Sequence, residues 1–290
     1  MNTDILATLQ NNVHTFSKGQ RLIAKYILDC YDKAAFMTAS KLGKTVGVSE
    51  STVVRFAVEL GYDGYPSMQK AIQEMVLNRL TNVQRIEVAH DRIGEDVIST
   101  VLHSDVEKLR QTSEMLDRAE FRAAVQAILD AERVYILGVR SCAPLAQFLA
   151  YYLNYVSPNV HTVTTSGEGE MFEKIVGIKP QDAVVALSFP RYSSATVKAA
   201  QYCRSAGAKV VGITDSKLSP LGQNSDHVLA AKSDMVSLVD SLVAPLSVIN
   251  ALIVAVAAQR EERLSNTFSA LETIWDQYNV YEKQVGGHGR

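Results

Sequence analysis

Three cysteines, Cys30, Cys142 and Cys203, are too few and too widely spaced for a metal site or a disulfide framework. Their odd count fits reduced, partly buried thiols, as in a cytoplasmic protein. Charge of one sign is lacking too: 29 Lys+Arg face 31 Asp+Glu, a net −2, which excludes a chain that is basic throughout. A local patch is still allowed. Residues 1–80 hold nine Lys+Arg and seven Asp+Glu, net +2, leaving net −4 for the remainder. That is the sign expected of a DNA-binding head on a neutral or acidic body. The opening MNTDILATLQ has an early Asp and no basic-then-apolar pattern, so no secretory signal is expected. There is no internal repeat. Beyond the final GGHGR, expected to fray, there is no low-complexity segment. With 47% hydrophobic and 21% charged residues the chain is globular, and 290 residues suffice for one large domain or two ordinary ones.

A long uninterrupted apolar run is missing as well. Leu238 to Ala258 comes nearest, yet Asp240, Ser241, Pro245, Ser247 and Asn250 break it. Charge and proline in so short a window argue against a membrane span. A helix apolar on most sides reads more simply as buried in a core or a subunit interface.

What is present is organised around Thr38 to Gly64. Ala39, Leu42 and Val46 share one helical face, with Thr38 at the N-cap and Gly47 at the stop. Ser49 caps a second helix with the stripe Val53, Phe56, Ala57 and Leu60, ended by Gly61. Helix, glycine turn, capped helix is the layout of a helix-turn-helix, whose second helix enters the DNA major groove. Glu50, Ser51, Thr52 and Arg55 are left on its outer face. Hydroxyls can meet phosphates or base edges, and Arg can bond a guanine edge twice. By spacing alone, an ordinary antiparallel helix pair with a polar face fits as well. Two further helices are expected before it, in residues 3–30, with Ser17 as the second cap. One is expected after it, from Pro66 and Ser67 to Leu80.

STVVRFAVELGYDGYPSMQKAI, within residues 1–80, resembles the DNA-binding domain of RpiR-type (MurR/RpiR) transcriptional regulators. The resemblance implies DNA contacts by Ser51, Thr52 and Arg55, beside the cap Ser49 and with Lys44 near a phosphate. Arg55 could instead brace the fold.

Residues 81–104 are polar and read as a connecting segment, partly helical. Helical patterning resumes over Val101–Leu116 and Ala119–Leu129. Then the period changes. Strands are expected at Arg133–Gly138, Val160–Thr164, Ala183–Ser188, Lys209–Thr214 and His227–Ala231. Helical stretches fall between them at Ala143–Tyr155, Glu170–Ile175, Ser194–Ser205 and near Leu218–Asn224. Alternation predicts a doubly wound parallel five-stranded α/β sandwich after the small all-α domain.

Ligands of such sheets sit outside the carboxyl ends of the strands. Two of those ends are chemically marked. One runs Gly138-Val139-Arg140-Ser141-Cys142. The other carries Ser188, Arg191, Ser193, Ser194 and Thr196. Each leads into a helix start, which favours an anion, and the arginines suit phosphate or carboxylate. Each hydroxyl taken singly could be only a helix cap.

This half, roughly residues 120–265, resembles the SIS (sugar isomerase) domain, usual partner of the RpiR-type head. Its loops commonly read G-x-G-x-S and S-x-S-G-x-T and bind phosphosugars. Gly138 and Ser188 match, and Ser193 takes the Thr position. Arg140 stands at the second Gly, Cys142 at the Ser, and Pro190-Arg191 at the Ser-Gly pair. Arg could replace the lost hydroxyls. The expected ligand is therefore an anionic metabolite: a phosphosugar or sugar-acid phosphate, with a non-sugar carboxylate as the other candidate.

Isomerases of the SIS type need an acid/base pair. Glu168, Glu170, Glu173 and His227 are candidates, but helix-start carboxylates ordinarily serve the helix dipole. No catalytic residue, cofactor or metal is assigned. The chain reads as a cytoplasmic, metabolite-responsive regulator of a double-stranded DNA operator. A homodimer or homotetramer is expected, joined near Leu238–Ala258 and Leu271–Tyr281. The alternative is a phosphosugar isomerase with an accessory helical domain. The expected divisions are 1–80, 81–104 and 105–290.

Overall fold

A computed structural model describes residues 5–79, 96–165, 167–233 and 239–282. The chain divides into two compact units, residues 1–95 and 96–290. Most of the expected connecting segment, 80–95, and the terminal GGHGR lie outside the described residues.

The first unit is all helical: α1 Ile5–Asn12, α2 Lys18–Asp29, α3 Tyr31–Ala34, α4 Ala39–Val46, α5 Glu50–Glu59 and α6 Tyr65–Arg79. Local chemistry sets its boundaries. Ser17 and Gln20 form a reciprocal capping box at the start of α2. Thr38 accepts the Lys41 N–H at 3.2 Å to cap α4, and Gly47 stops it at a φ of +77°. Ser49 caps α5 by accepting the Thr52 N–H at 3.3 Å. Leu9, Ile23, Ile27, Leu42, Val53, Phe56, Met68 and Ile72 are fully buried in one core. Phe16 meets Phe56 edge to face, with centroids 5.2 Å apart.

The short α3 is not foreseen by periodicity. Its exit is held from α6: the Tyr65 hydroxyl donates to the Met37 carbonyl at 2.6 Å, and Gln73 Nε2 donates to the Ala35 carbonyl at 2.8 Å. Burial pushes the Tyr65 hydroxyl up to about 12.

The second unit opens with α7 Val97–Met115 and α8 Arg118–Leu129, capped by Asp96 and Asp117. α7 starts four residues before the expected Val101, inside the stretch read as connecting. Then come β1 Val134–Leu137, α9 Ala143–Leu153, β2 Val160–Val163, α10 Glu168–Ile175, β3 Ala183–Leu187, α11 Ser194–Ser205, β4 Lys209–Thr214, β5 His227–Ala230, α12 Val243–Ala258 and α13 Glu261–Tyr278. A 3-10 turn, Gly222–Asn224, stands where a short helix is expected near Leu218–Asn224.

All five strands are parallel, in the order β2-β1-β3-β4-β5. β1, β3 and most of β4 and β5 are buried, as in a sheet covered on both faces. Strand alternation sorts the side chains. Ile136, Val185, Leu187, Val211, Ile213 and Leu229 pack with α8, α9 and α12. Tyr135, Leu137, Val184, Ala186 and Val210 pack with α10 and α11. This is the expected doubly wound α/β architecture.

α12 is buried along Ala244, Val248, Ile249, Leu252 and Val256. No single described helix is long and apolar enough to cross a membrane, and α12 and α13 meet at 97°.

Candidate nucleic-acid interface and ligand site

The turn between α4 and α5 depends on a glycine that periodicity does not single out. A Cβ on Gly43 would stand 2.8 Å from the Val48 carbonyl oxygen. The Val48 N–H in turn donates to the Gly43 carbonyl at 2.9 Å, folding the turn back on α4. Ser49, Ser51 and Thr52 form one hydroxyl cluster, the Ser49 Oγ lying 2.9 Å from Ser51 Oγ and 2.8 Å from Thr52 Oγ1. Arg55 is exposed, its Nε donating to the Ser51 carbonyl at 3.3 Å, so it leans along its own helix. Lys44 is exposed on α4. Val54 and Val58 are also exposed on α5, at 38% and 55%, and sequence reasoning passed over both. An apolar residue on the outer face of a helix otherwise buried by Val53, Phe56 and Ala57 is the signal.

In the second unit β1 lies between β2 and β3, so the chain reverses direction across the sheet at β1 and β3. α9 leaves β1 onto one face and α11 leaves β3 onto the other. Their diverging starts leave a crevice at the carboxyl edge, the topological switch point where such sheets bind ligands.

The first loop enters it as a 3-10 turn, Arg140–Cys142. Gly138 is required by crowding: a Cβ there would lie 2.9 Å from the Cys142 carbonyl oxygen and 3.0 Å from Ala146 Cβ. Arg140 is exposed and left-handed, at a φ of +56°. Ser141 is exposed, while Cys142 is buried. Burial pushes the Cys142 thiol up to about 11, against hydrogen bonds with the Phe189 backbone and the Ser141 side chain. The Phe189 contact joins the two loops.

In the second loop the buried Ser188 Oγ accepts the Ser193 N–H at 3.1 Å. Ser193 caps α11 by accepting the Thr196 N–H at 3.3 Å. Thr196 is fully buried, and its Oγ1 is the one buried side-chain polar atom without a hydrogen bond among the described residues. Ser194 and Arg191 are exposed, and Arg191 makes an interaction within the protein.

Asp215 follows β4 and adds a third strand end. It accepts the Tyr192 hydroxyl and, at 3.1 Å, the Thr214 hydroxyl. Sequence reasoning missed both Tyr192 and Asp215, although Thr214-Asp215-Ser216 leaves β4 just as Ser188 leaves β3.

The acid/base candidates do not converge there. Glu168 pairs with Lys198 at 3.0 Å and Glu170 with Lys174 at 3.1 Å. A bond from the Thr165 hydroxyl, then Lys174, holds the Glu170 carboxyl below its usual range. Glu173 is exposed. His227, at the amino end of β5, lies 3.3 Å from Glu120. A cavity of about 390 Å³ also opens at that amino edge, lined by Gln126, Asp130, Asp182, Lys209 and His227. It holds none of the loop hydroxyls.

Comparison with known proteins decides the architecture. Residues 3–78 match the helix-turn-helix domain of the rpiR family, and residues 127–255 match the SIS domain. The chain has the architecture of an RpiR-type transcriptional regulator. It is 24% identical over 230 residues to an uncharacterized HTH-type transcriptional regulator of Clostridium perfringens, covering 79% of this chain and 82% of that one. It is 22% identical over 228 residues to the uncharacterized HTH-type transcriptional regulator YfhH of Escherichia coli, covering 77% and 80%. Among solved structures, the sugar isomerase domain of an RpiR transcription factor from Sphaerobacter thermophilus is 28% identical. It superposes with a TM-score of 0.59 and covers 62% of this chain and 99% of that one. The Vibrio vulnificus NanR protein complexed with ManNAc-6P is 21% identical, with a TM-score of 0.58 over 94% of this chain and 98% of that one. Both RpiR-type domains therefore occur in one chain, and the SIS match encloses both loops of the crevice.

Proposed function

We propose that the protein is a metabolite-responsive transcriptional regulator that binds a double-stranded DNA operator without catalysing a reaction. Residues 1–80 form the head and 81–95 the connection, while the sensing and assembly body starts at α7, earlier than the expected residue 105. The observation that carries the reading is the union, in one chain, of a capped helix-turn-helix and of hydroxyl-bearing loops at the switch point of a parallel sheet.

In the head, Ser49, Ser51 and Thr52 face DNA as a cluster, Arg55 reaches a base or phosphate, and Lys44 a phosphate. Val54 suits a thymine methyl. In the body, the start of α11 with Ser188, Ser193, Ser194 and Thr196 seats a phosphate, and Gly138 lets the backbone approach it. Arg140, Ser141 and Arg191 flank the seat. A phosphosugar is the supported class, since the similarly folded NanR protein is complexed with ManNAc-6P.

The body assembles into a homodimer or homotetramer, because one head covers only a half-site. Ligand acts by favouring one arrangement of paired heads over another.

The test is binding of the full chain to DNA upstream of its own gene across a salt series, with a turnover assay on sugar phosphates in parallel. Regulation predicts steeply salt-dependent binding and no turnover. Turnover without specific DNA binding would sink the proposal.

A further inference from the structure

Arg140 is the anomaly of the crevice. It holds a left-handed backbone, at a φ of +56°, that strains an ordinary side chain and that glycine would hold without strain. Its neighbour Gly138 cannot carry a side chain, so the turn itself is fixed by crowding. Among the described residues, the Arg140 guanidinium makes no hydrogen bond or ion pair, in contrast to those of Arg133, Arg204 and Arg260, which are all tied to protein acceptors. Arg191, across the crevice, is engaged within the protein. A guanidinium in a strained turn, at the ligand edge and with no protein acceptor, is the group left over for a ligand.

Its position relative to the phosphate seat is set by the sheet. β1 and β3 are direct neighbours, Leu137 pairing with Ala186, and neighbouring strands lie roughly 5 Å apart. Arg140 and the Ser188–Ser193 seat therefore leave adjacent strand ends, and Cys142 and Phe189, one from each loop, share a buried cluster. The seat has its own unmet donor, Thr196 Oγ1, fully buried and without a partner. Two anion-seeking features thus follow adjacent strand ends, on different loops.

We propose that the effector carries two anionic groups, a phosphate at the α11 start and a carboxylate bound by the Arg140 guanidinium. This rests on the effector-site reading above and narrows it from phosphosugars to phosphorylated acids. The planar fork of Arg matches a carboxylate with two parallel bonds, which a neutral sugar hydroxyl cannot supply.

The test uses two matched pairs of probes on the full chain: 6-phosphogluconate against glucose 6-phosphate, and 3-phosphoglycerate against glycerol 3-phosphate. Affinities are measured by calorimetric titration on the wild type and on Arg140→Gly, whose glycine suits the left-handed turn and should leave the melting temperature unlowered. The expected result is a preference of about 10-fold or more for the acid member of a pair in the wild type, and no preference between the two members in Arg140→Gly. Equal affinity for acid and alcohol members, or a preference that survives Arg140→Gly, overturns the carboxylate contact and leaves the phosphate seat standing. Failure of all four probes to bind overturns the seat and this inference together.

Discussion

The Tyr192 hydroxyl lies 3.0 Å from each carboxylate oxygen of Asp215, tying the loop after β3 to the end of β4. Asp215 also accepts the Thr214 hydroxyl, so the carboxylate is fixed from its own strand as well. Tyr192 precedes Ser193, the cap whose N–H is held by Ser188. The clamp therefore sets the loop that presents the hydroxyls. Tyr192→Phe should weaken phosphate-probe binding by up to about 10-fold, the worth of one hydrogen bond to a charged acceptor. Titration of the variant beside its thermal melt separates this from unfolding, since an unchanged affinity would release the clamp from any role in the site.

At the opposite edge, Arg133 and Asp182 show how the sheet is held. Asp182 is buried, and Arg133 grips it with Nε at 2.9 Å and a second nitrogen at 2.6 Å, while the Lys179 N–H adds a bond at 2.7 Å. The pair joins the starts of β1 and β3. Its two halves are not equivalent, because Arg133 retains 29% side-chain exposure and Asp182 only 1%. Arg133→Ala strands a buried carboxylate and should cost about 3–5 kcal/mol. Asp182→Ala leaves an arginine that water can reach, and should cost less. Denaturant melts of both variants would give this order, and the reverse order would mean that burial does not govern the pair.

Gly43 offers a test confined to the head. A methyl there would press on the Val48 carbonyl at 2.8 Å, on backbone that cannot swing aside. Gly43→Ala should destabilise the head by roughly 1–3 kcal/mol and displace α5 relative to α4. Operator binding would fall, while binding of phosphate probes by the body would persist. Thr52→Ala and Arg55→Ala should weaken operator binding with no loss of stability in the body, and unchanged affinity in both would remove α5 as the reading helix.

Those head residues also show where sequence was enough. Thr38, Gly47 and Ser49 announce their roles because caps and stops are local: each depends on a hydroxyl or a permitted φ within four residues. The five strands were legible for the same reason, as short apolar runs set off by turns. Gly43 was not, since its crowding comes from a carbonyl five residues on, across a turn. Asp215 was hidden differently. A carboxylate after a strand has no signature until the tyrosine of another loop is folded against it. Arg140 was legible as a replaced glycine, but only the backbone angle shows that the arginine sits in a left-handed geometry that favours glycine.

Thiol chemistry gives a pH-dependent check. Burial favours the neutral thiol, pushing Cys142 up to about 11 and Cys203 up to about 12, whereas Cys30 is only half-buried. Thiolate is the reactive form, so at pH 8 an alkylating reagent should modify Cys30 alone in the native chain and all three cysteines in denaturant. The linked stability is present below the ordinary thiol value and is lost as pH rises above it, because the unfolded thiols release their protons first. Rapid native labelling of Cys142, followed by mass spectrometry, would show that the joined loops open readily.

Self-association should run through α13. Its 18 residues include no buried side chain, although Phe268, Ile274, Trp275 and Tyr278 lie along it. Phe268 packs at a tilt on Tyr155 with centroids 4.9 Å apart, and Trp275 continues the aromatic row to Tyr281 at 5.2 Å. Tyr151 beside them is 55% exposed, Ile274 47% and Tyr278 70%. A monomer gains little by holding so many large apolar groups in water, and exposed apolar surface of this extent marks an interface. A second copy is the partner that symmetry supplies, because a two-fold contact also pairs the heads for two half-sites. Ile274→Glu places a charge in that contact without touching the sheet core. Sedimentation should then show a monomer with unaltered phosphate-probe binding but far weaker operator binding. An assembly that survives the charge would place the interface on another face.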